Sequence, residues 1–311
     1  MVGQRMGRKE GLALKRLLFI YNNHAGKGRV RTHLSGILDA LAGEGWLVSV
    51  WPTTGPGDAT QVAAELGAYY DRVVCCGGDG TLNEVVSGLI QLRHPPVLGY
   101  VPAGTTNDFS RNLALPRGME NAAATAAAGF PKACDIGAFN GRTFVYVAAF
   151  GAFTDVSYDT PQSLKNTFGH LAYLMEGAAR LGSLKPYTLR VEHDGGVVEG
   201  DFLYGMVSNT VSVGGFQGLP KDQVKLDDGL FEVILVKNPT SPQDLQGIAK
   251  GLALQKLDAS RGTVLGFRTA RLTVTSAVPL PWTLDGEYGG DPKVAEIENR
   301  AQALEIVQGK P

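Results

Sequence analysis

The chain has 311 residues, 44% hydrophobic and 19% charged, which describes a globular protein and excludes wholesale disorder. That length exceeds what one small core needs, so two domains are expected. A net charge of −1 excludes the electrostatic footprint of a general nucleic-acid binder.

The N-terminal basic residues precede only a short apolar run, interrupted by Asn22 and Asn23, which is no secretory signal. Val2 stands where N-myristoylation needs glycine. The longest apolar runs, such as Leu17–Tyr21 and Val145–Phe150, fall far short of the roughly 20 residues of a membrane span. Three cysteines cannot form a disulfide framework, and Cys75–Cys76 lacks the spacing of a metal knuckle, so a cytoplasmic setting is expected. Basic charge gathers early: Arg5, Arg8, Lys9, Lys15, Arg16, Lys27, Arg29 and Arg31 stand against Glu10. Near an anionic bilayer each contributes about 1 kcal/mol. Residues 1–13 read as a flexible basic tail. For Lys27, Arg29 and Arg31, contact with phosphates or a membrane and plain solvation match the sequence equally well.

Strand and helix patterns alternate over the first 135 residues. Leu17–Tyr21 has strand length, and Arg29–Ala42 carries helical spacing at Val30, Leu34, Ile37, Leu38 and Leu41. Trp46–Trp51 is a second strand, and Asp58–Leu66 a helix with Asp58 near its start. Val73–Cys76 is a third strand, followed by a helix pattern at Leu82, Val85, Val86 and Leu89. Val97–Val101 is a fourth, and Ala122–Ala128 is helical by propensity. This alternation implies a parallel sheet with helices on both faces and a ligand at the carboxyl ends of its strands.

The pattern then changes. Phe144–Phe150, Thr188–His193, Val197–Val207, Leu230–Val236, Arg271–Thr275 and Pro281–Leu284 all read as strands, with a turn at Asp194-Gly195-Gly196. Helical patterns are confined to Leu164–Leu181 and Asp244–Leu254. A mainly antiparallel, sandwich-like second domain is expected, and Ala301–Val307 reads as strand or helix. Phe150, Phe153, Phe168, Tyr173 and Phe216 could line an acyl channel, although aromatics at such spacings are more often core.

Five segments carry chemistry. Gly77-Gly78-Asp79-Gly80-Thr81 ends the third strand; its glycines let backbone N–H groups approach phosphate, and the next helix start adds positive charge. An aspartate there repels phosphate unless a cation intervenes, so Asp79 points to Mg²⁺, direct or through water. Asn22-Asn23-His24-Ala25-Gly26-Lys27-Gly28 follows the first strand but is no Walker A loop. Pro102-Ala103-Gly104-Thr105-Thr106-Asn107-Asp108-Phe109 follows the fourth; its hydroxyls and amide suit phosphate or ribose, and Asp108 could share the magnesium, as readily as the segment could be a capped turn. Leu284-Asp285-Gly286-Glu287 puts a carboxylate at a strand end, where Glu287 could take a proton from an attacking hydroxyl; Asp-Gly is otherwise an everyday turn. Lys225-Leu226-Asp227-Asp228-Gly229-Leu230 suits a hard cation or a solvated turn.

Together and in this order, these segments resemble the bacterial soluble diacylglycerol kinases, related to sphingosine kinases. The resemblance runs from Leu17 to about Val307 and is most specific in Gly77-Gly78-Asp79-Gly80-Thr81-Leu82-Asn83-Glu84-Val85, since Gly-Gly-Asp-Gly-Thr alone also occurs in NAD kinases. It implies an α/β N-terminal domain with a parallel sheet over 14–134, completed by 300–311, and a mainly antiparallel β-sandwich-like lipid-substrate domain over 135–299. It implies ATP against Asn22, Ala25, Gly26, Thr53, Gly78, Asp79, Gly80, Thr81, Leu82, Asn83, Glu84 and Thr105, with Thr53 opening the element Thr53-Thr54-Gly55-Pro56-Gly57-Asp58-Ala59. It further implies a catalytic magnesium network at Asp79, Asp108 and Asp135, with Glu287 as general base. A structural magnesium would fall on the Lys225 and Leu230 carbonyls and the Asp228 carboxylate. Asn23 departs from the family's proline, which loosens that turn. The activity so implied is transfer of phosphate from ATP to diacylglycerol or a related lipid alcohol, from the cytoplasm and in transient contact with the membrane. Alternatives are a kinase of a soluble alcohol, as in NAD kinases, and a non-catalytic lipid-binding or regulatory module. A homodimer is left open by the sequence.

Overall fold

The computed structural model describes residues 15–151, 185–210, 225–239 and 262–309, with Ser241, Gln243, Asp244 and Ile248. The basic tail, the pattern at Leu164–Leu181, most of Asp244–Leu254, and Phe153, Phe168, Tyr173 and Phe216 lie outside the described residues.

Strand β1 (Arg16–Tyr21) pairs in parallel with β2 (Leu47–Pro52) and β3 (Arg72–Gly77), and β3 pairs in parallel with β4 (Val97–Pro102). β1 is apolar at successive positions because both of its faces are covered. Leu17, Phe19 and Tyr21 pack with residues of α1 (Arg29–Gly43) and α4 (Met119–Ala128). Leu18 and Ile20 pack with residues of α2 (Asp58–Leu66) and α3 (Asp79–Leu89). These last two helices cross closely at Gly88, where an added Cβ would stand 2.3 Å from the Thr60 carbonyl oxygen and 2.7 Å from Ala63 Cβ. Gly88→Ala is therefore expected to destabilise by about 1–3 kcal/mol despite the better helix propensity of alanine. A denaturant midpoint at or above that of the wild type would contradict this.

The second half is antiparallel: β5 (Phe130–Phe139), β6 (Arg142–Phe144), β7 (Val147–Gly151), β8 (Tyr187–His193), β9 (Gly196–Ser208), β10 (Phe231–Lys237), β11 (Val264–Thr269), β12 (Arg271–Ser276), β13 (Trp282–Leu284) and β14 (Glu287–Gly290). Its core centres on Trp282, whose ring lies 5.0 Å from that of Phe139 and 4.8 Å from that of Phe150. Phe150 is thus a core residue and no channel wall. The long last strand β15 (Val294–Gln308) joins the halves. Its first part pairs with β12, its second meets β4 in parallel at Ile306–Leu98, and β5 accompanies both. Gln302, with φ of 52°, lies where the β15–β5 register shifts.

Two sequence expectations are corrected. Phe144–Phe150 is two strands, because the Val145 and Tyr146 N–H groups turn away to the Asp285 carboxylate. β5 and β11 were not foreseen: β5 is broken by Pro131, Lys132, Asp135 and Gly137, and β11 by Gly266 and Arg268, which blur the alternation.

Candidate active site

The loops that follow β1, β3 and β4 interlock at the carboxyl ends of neighbouring strands. Asn22 Nδ2 donates to Thr81 Oγ1 at 3.3 Å, tying the first loop to α3. Asn22 Oδ1 accepts from the His24 N–H at 2.8 Å, closing the turn that Asn23 leaves without proline. Gly26 has φ of 58°, and a Cβ there would sit 2.2 Å from the Ala103 carbonyl oxygen, so only glycine lets this loop touch the one after β4. Gly104 in turn lies against Gly78, where a Cβ would come within 2.6 Å of the Gly78 Cα. Asn107 fixes the third loop: its Oδ1 accepts from the Gly104 N–H at 2.8 Å and its Nδ2 donates to the Gly104 carbonyl at 2.9 Å.

Asp79 opens α3 behind Gly78, which supplies no side-chain cap, so the first amides of an 11-residue helix face the loops. Asp79 Oδ2 accepts from the Asp108 N–H at 3.1 Å, while Oδ1 is buried without a hydrogen-bond partner. Desolvation, aided by the charges of Asp108 and Asp285, raises its pKa to about 6, against the pull of the Asp108 and Phe109 amides. An orphaned carboxylate oxygen in a glycine-rich turn is the chemistry of a cation ligand.

The second half reaches this turn through the β13–β14 hairpin. Asp285 and Gly286 both have positive φ, 50° and 86°, the two-residue turn that Asp-Gly favours. The next residue, Glu287, puts its Oε1 3.9 Å from where a Gly80 Cβ would be, at the start of α3. Asp285 is buried and holds the hairpin down. Oδ2 accepts from the Val145 N–H at 2.6 Å and Asn83 Nδ2 at 2.7 Å, and Oδ1 from the Tyr146 and Val147 N–H groups, both at 3.0 Å. Burial raises its pKa, and these four donors oppose the rise. Sequence reading missed this anchor, though the Asp-Gly pair just before Glu287 was its visible signal.

The remaining candidates are spread around this centre. Thr53 follows β2 with its N–H on the Tyr21 carbonyl at 2.9 Å, and Glu84 Oε1 accepts from the Gly57 N–H of the following loop at 3.0 Å. Ala25 and Gly26 are partly exposed, and Thr105 is exposed. Leu82 is buried in the core and the Asn83 amide is committed to Asp285, so neither side chain is free to meet a nucleotide.

A family model described as the diacylglycerol kinase catalytic domain matches residues 16–139, and one described as a YegS C-terminal NAD kinase beta sandwich-like domain matches 149–308. A protein of Bacillus subtilis named diacylglycerol kinase is 36% identical over 279 residues, 89% of this chain and 91% of that one. The chain belongs to the diacylglycerol kinase family. A Staphylococcus aureus relative of the same name is 37% identical over 277 residues, 89% of this chain and 87% of its own. Two solved structures from Bacillus anthracis superpose with TM-scores of 0.82 and 0.75, at 25% and 24% identity. They cover 95% and 96% of this chain, and 95% and 98% of their own.

The metal positions implied by this lipid-kinase family fit unevenly. Among the described residues no three His, Cys, Asp or Glu side chains gather as metal ligands. Asp79 and Asp108 do come together, and the orphaned oxygen of Asp79 suits a magnesium reached through water. Asp135 faces elsewhere: it is buried, with Oδ2 on the Gly229 N–H at 2.6 Å and Oδ1 on the Gln302 N–H at 2.7 Å. Its carboxylate serves the Leu226–Leu230 turn. The structural site fits poorly, because Asp228 is ion-paired to Arg268.

Proposed function

We propose that this kinase transfers the γ-phosphate of ATP to the hydroxyl of diacylglycerol, giving phosphatidic acid. The observation that carries the reading is the carboxylate of Glu287 set over Gly80 at the start of α3. A proton acceptor from one half of the chain faces the phosphate-binding turn of the other. Asn22, Ala25, Gly26, Thr53, the segment Gly78–Glu84 and Thr105 would hold the nucleotide, with Leu82 and Asn83 contributing backbone. Asp79 and Asp108 would hold magnesium, which when bound neutralises charge on the phosphates. Glu287 takes the proton of the lipid hydroxyl as it attacks. Lys27 lies in the first loop and Arg29 and Arg31 in the first turn of α1, where they would meet an anionic membrane surface during transient contact from the cytoplasm. No helix among the described residues is long and apolar enough to cross a membrane.

Purified protein with labelled ATP, Mg²⁺ and diacylglycerol in mixed micelles should yield labelled phosphatidic acid. Glu287→Gln is expected to lower kcat by about 10²–10⁴-fold with little change in KM for ATP. The β-sandwich match to an NAD kinase type favours one rival, a kinase of a soluble alcohol. Product from NAD and none from diacylglycerol would support it. Lipid binding without ATP consumption would support a non-catalytic module.

A further inference from the structure

The turn from Lys225 to Leu230 is where a structural ion is expected and where the side chains supply something else. Both oxygens of Asp228 are engaged: Oδ1 accepts from the Leu230 N–H at 3.2 Å, and Oδ2 accepts from the Arg268 guanidinium. Arg268 stands on β11 directly across from Glu232 on β10, and its Nε donates to Glu232 Oε1 at 3.3 Å. Glu232 is 2% exposed, and its Oε2 has no hydrogen-bond partner. Other protein groups already tie the turn down. The Asp135 N–H donates to the Leu226 carbonyl at 2.6 Å, the Gly229 N–H to Asp135 Oδ2 at 2.6 Å, and Gln302 Nε2 to the Asp227 carbonyl at 3.1 Å.

We infer that Arg268 is the resident cation of this turn: its guanidinium takes the place between Asp228 and Glu232 that a divalent ion would need, and the turn closes without metal. An ion at Asp228 would share the carboxylate with a guanidinium, setting two cations against one anion at contact distance. The β10–β11 ladder holds Arg268 beside Glu232, so moving aside would leave a buried carboxylate without its cation. A guanidinium is permanently charged and weakly hydrated, which suits a half-buried place between two acids, whereas Mg²⁺ dehydrates reluctantly. Without Arg268, the same place would present two carboxylates and no cation, which is what a hard ion binds.

Thermal unfolding of the full chain, in EDTA and in millimolar Mg²⁺ without nucleotide, tests this independently of turnover. An Asp79→Asn, Asp108→Asn background removes both carboxylates of the other expected magnesium site. With Arg268 present, the midpoint should be the same in both buffers. Arg268→Gln should unfold several degrees lower in EDTA, a drop of roughly 5 °C, and recover part of it in Mg²⁺. Adding Asp228→Asn should remove that recovery. Arg268→Lys keeps the charge and should stay indifferent to the ion. A midpoint that rises with Mg²⁺ while Arg268 is present overturns the inference. So does an Arg268→Gln protein as stable in EDTA as its parent, or one that Mg²⁺ does not help. Magnesium dependence in Arg268→Lys does the same.

Discussion

Replacing Asp79 with asparagine is expected to lower turnover by about 10²–10³-fold while making the ligand-free protein more stable at neutral pH. Both effects come from one buried carboxylate whose Oδ1 has no partner. Its folded pKa, about 6, lies above the unfolded value near 4, so the folded state holds this proton more tightly. Stability from this group is therefore full below about pH 4 and is lost as pH rises through 6. At pH 8 the ionised carboxylate costs about 2–3 kcal/mol relative to the unfolded chain, a cost that a neutral amide would not bear. The substituted amide can still accept from the Asp108 N–H. Melting curves at pH 4, 6 and 8 should show the variant gaining most at pH 8 and nothing at pH 4. Glu232 is raised by desolvation to about 7 despite Arg268, so both proteins should lose stability toward alkaline pH; only their difference reports Asp79. Because positioning and charge neutralisation dominate phosphoryl transfer, Asp79→Ala should be at least as damaging to turnover as Glu287→Ala. Near wild-type turnover in either Asp79 variant would mean that no phosphate is held at this turn. A variant less stable at pH 8 would mean the carboxylate is not strained there.

The two halves were legible in the sequence to different depths, and the reason is local coding. β1, β3 and β4 are covered on both faces and read as unbroken apolar runs. The glycine turn that follows β3 follows from steric need alone. β5 was invisible because its pairing to β15, and not its composition, makes it a strand. What the sequence hides most are the long-range contacts. Asn83 and Asp285 are 202 positions apart, and nothing near either one announces the other. Gly26 reads as any loop glycine until the Ala103 carbonyl is seen against it. Resemblance carried Asp135 toward the magnesium network, yet its neighbours are the Gly229 and Gln302 amides. Nothing in the sequence singles out Arg268, because its closeness to Asp228 depends on the β10–β11 register.

Asp285→Asn is expected to cost about 2–4 kcal/mol of stability and to lower kcat by about 10²-fold, leaving KM for ATP nearly unchanged. The substitution keeps size and shape but removes half of the acceptor capacity. Oδ2 takes Val145 and Asn83, and Oδ1 takes Tyr146 and Val147. Whichever way the amide is turned, its NH₂ faces two donors that have no acceptor. The hairpin then loses its hold on both α3 and the β6–β7 link, and Glu287 moves with it, while the interlocked glycine loops keep their own contacts. A structural role without positioning would lower the amount of folded enzyme and leave kcat per folded molecule alone. Kinetics are therefore read well below the melting transition, and in a cycle with Glu287→Gln. If Asp285 acts by aiming Glu287, the double variant should be no slower than Glu287→Gln alone, because nothing remains to be aimed. Additive losses in that cycle would place the effect of Asp285 on some other step.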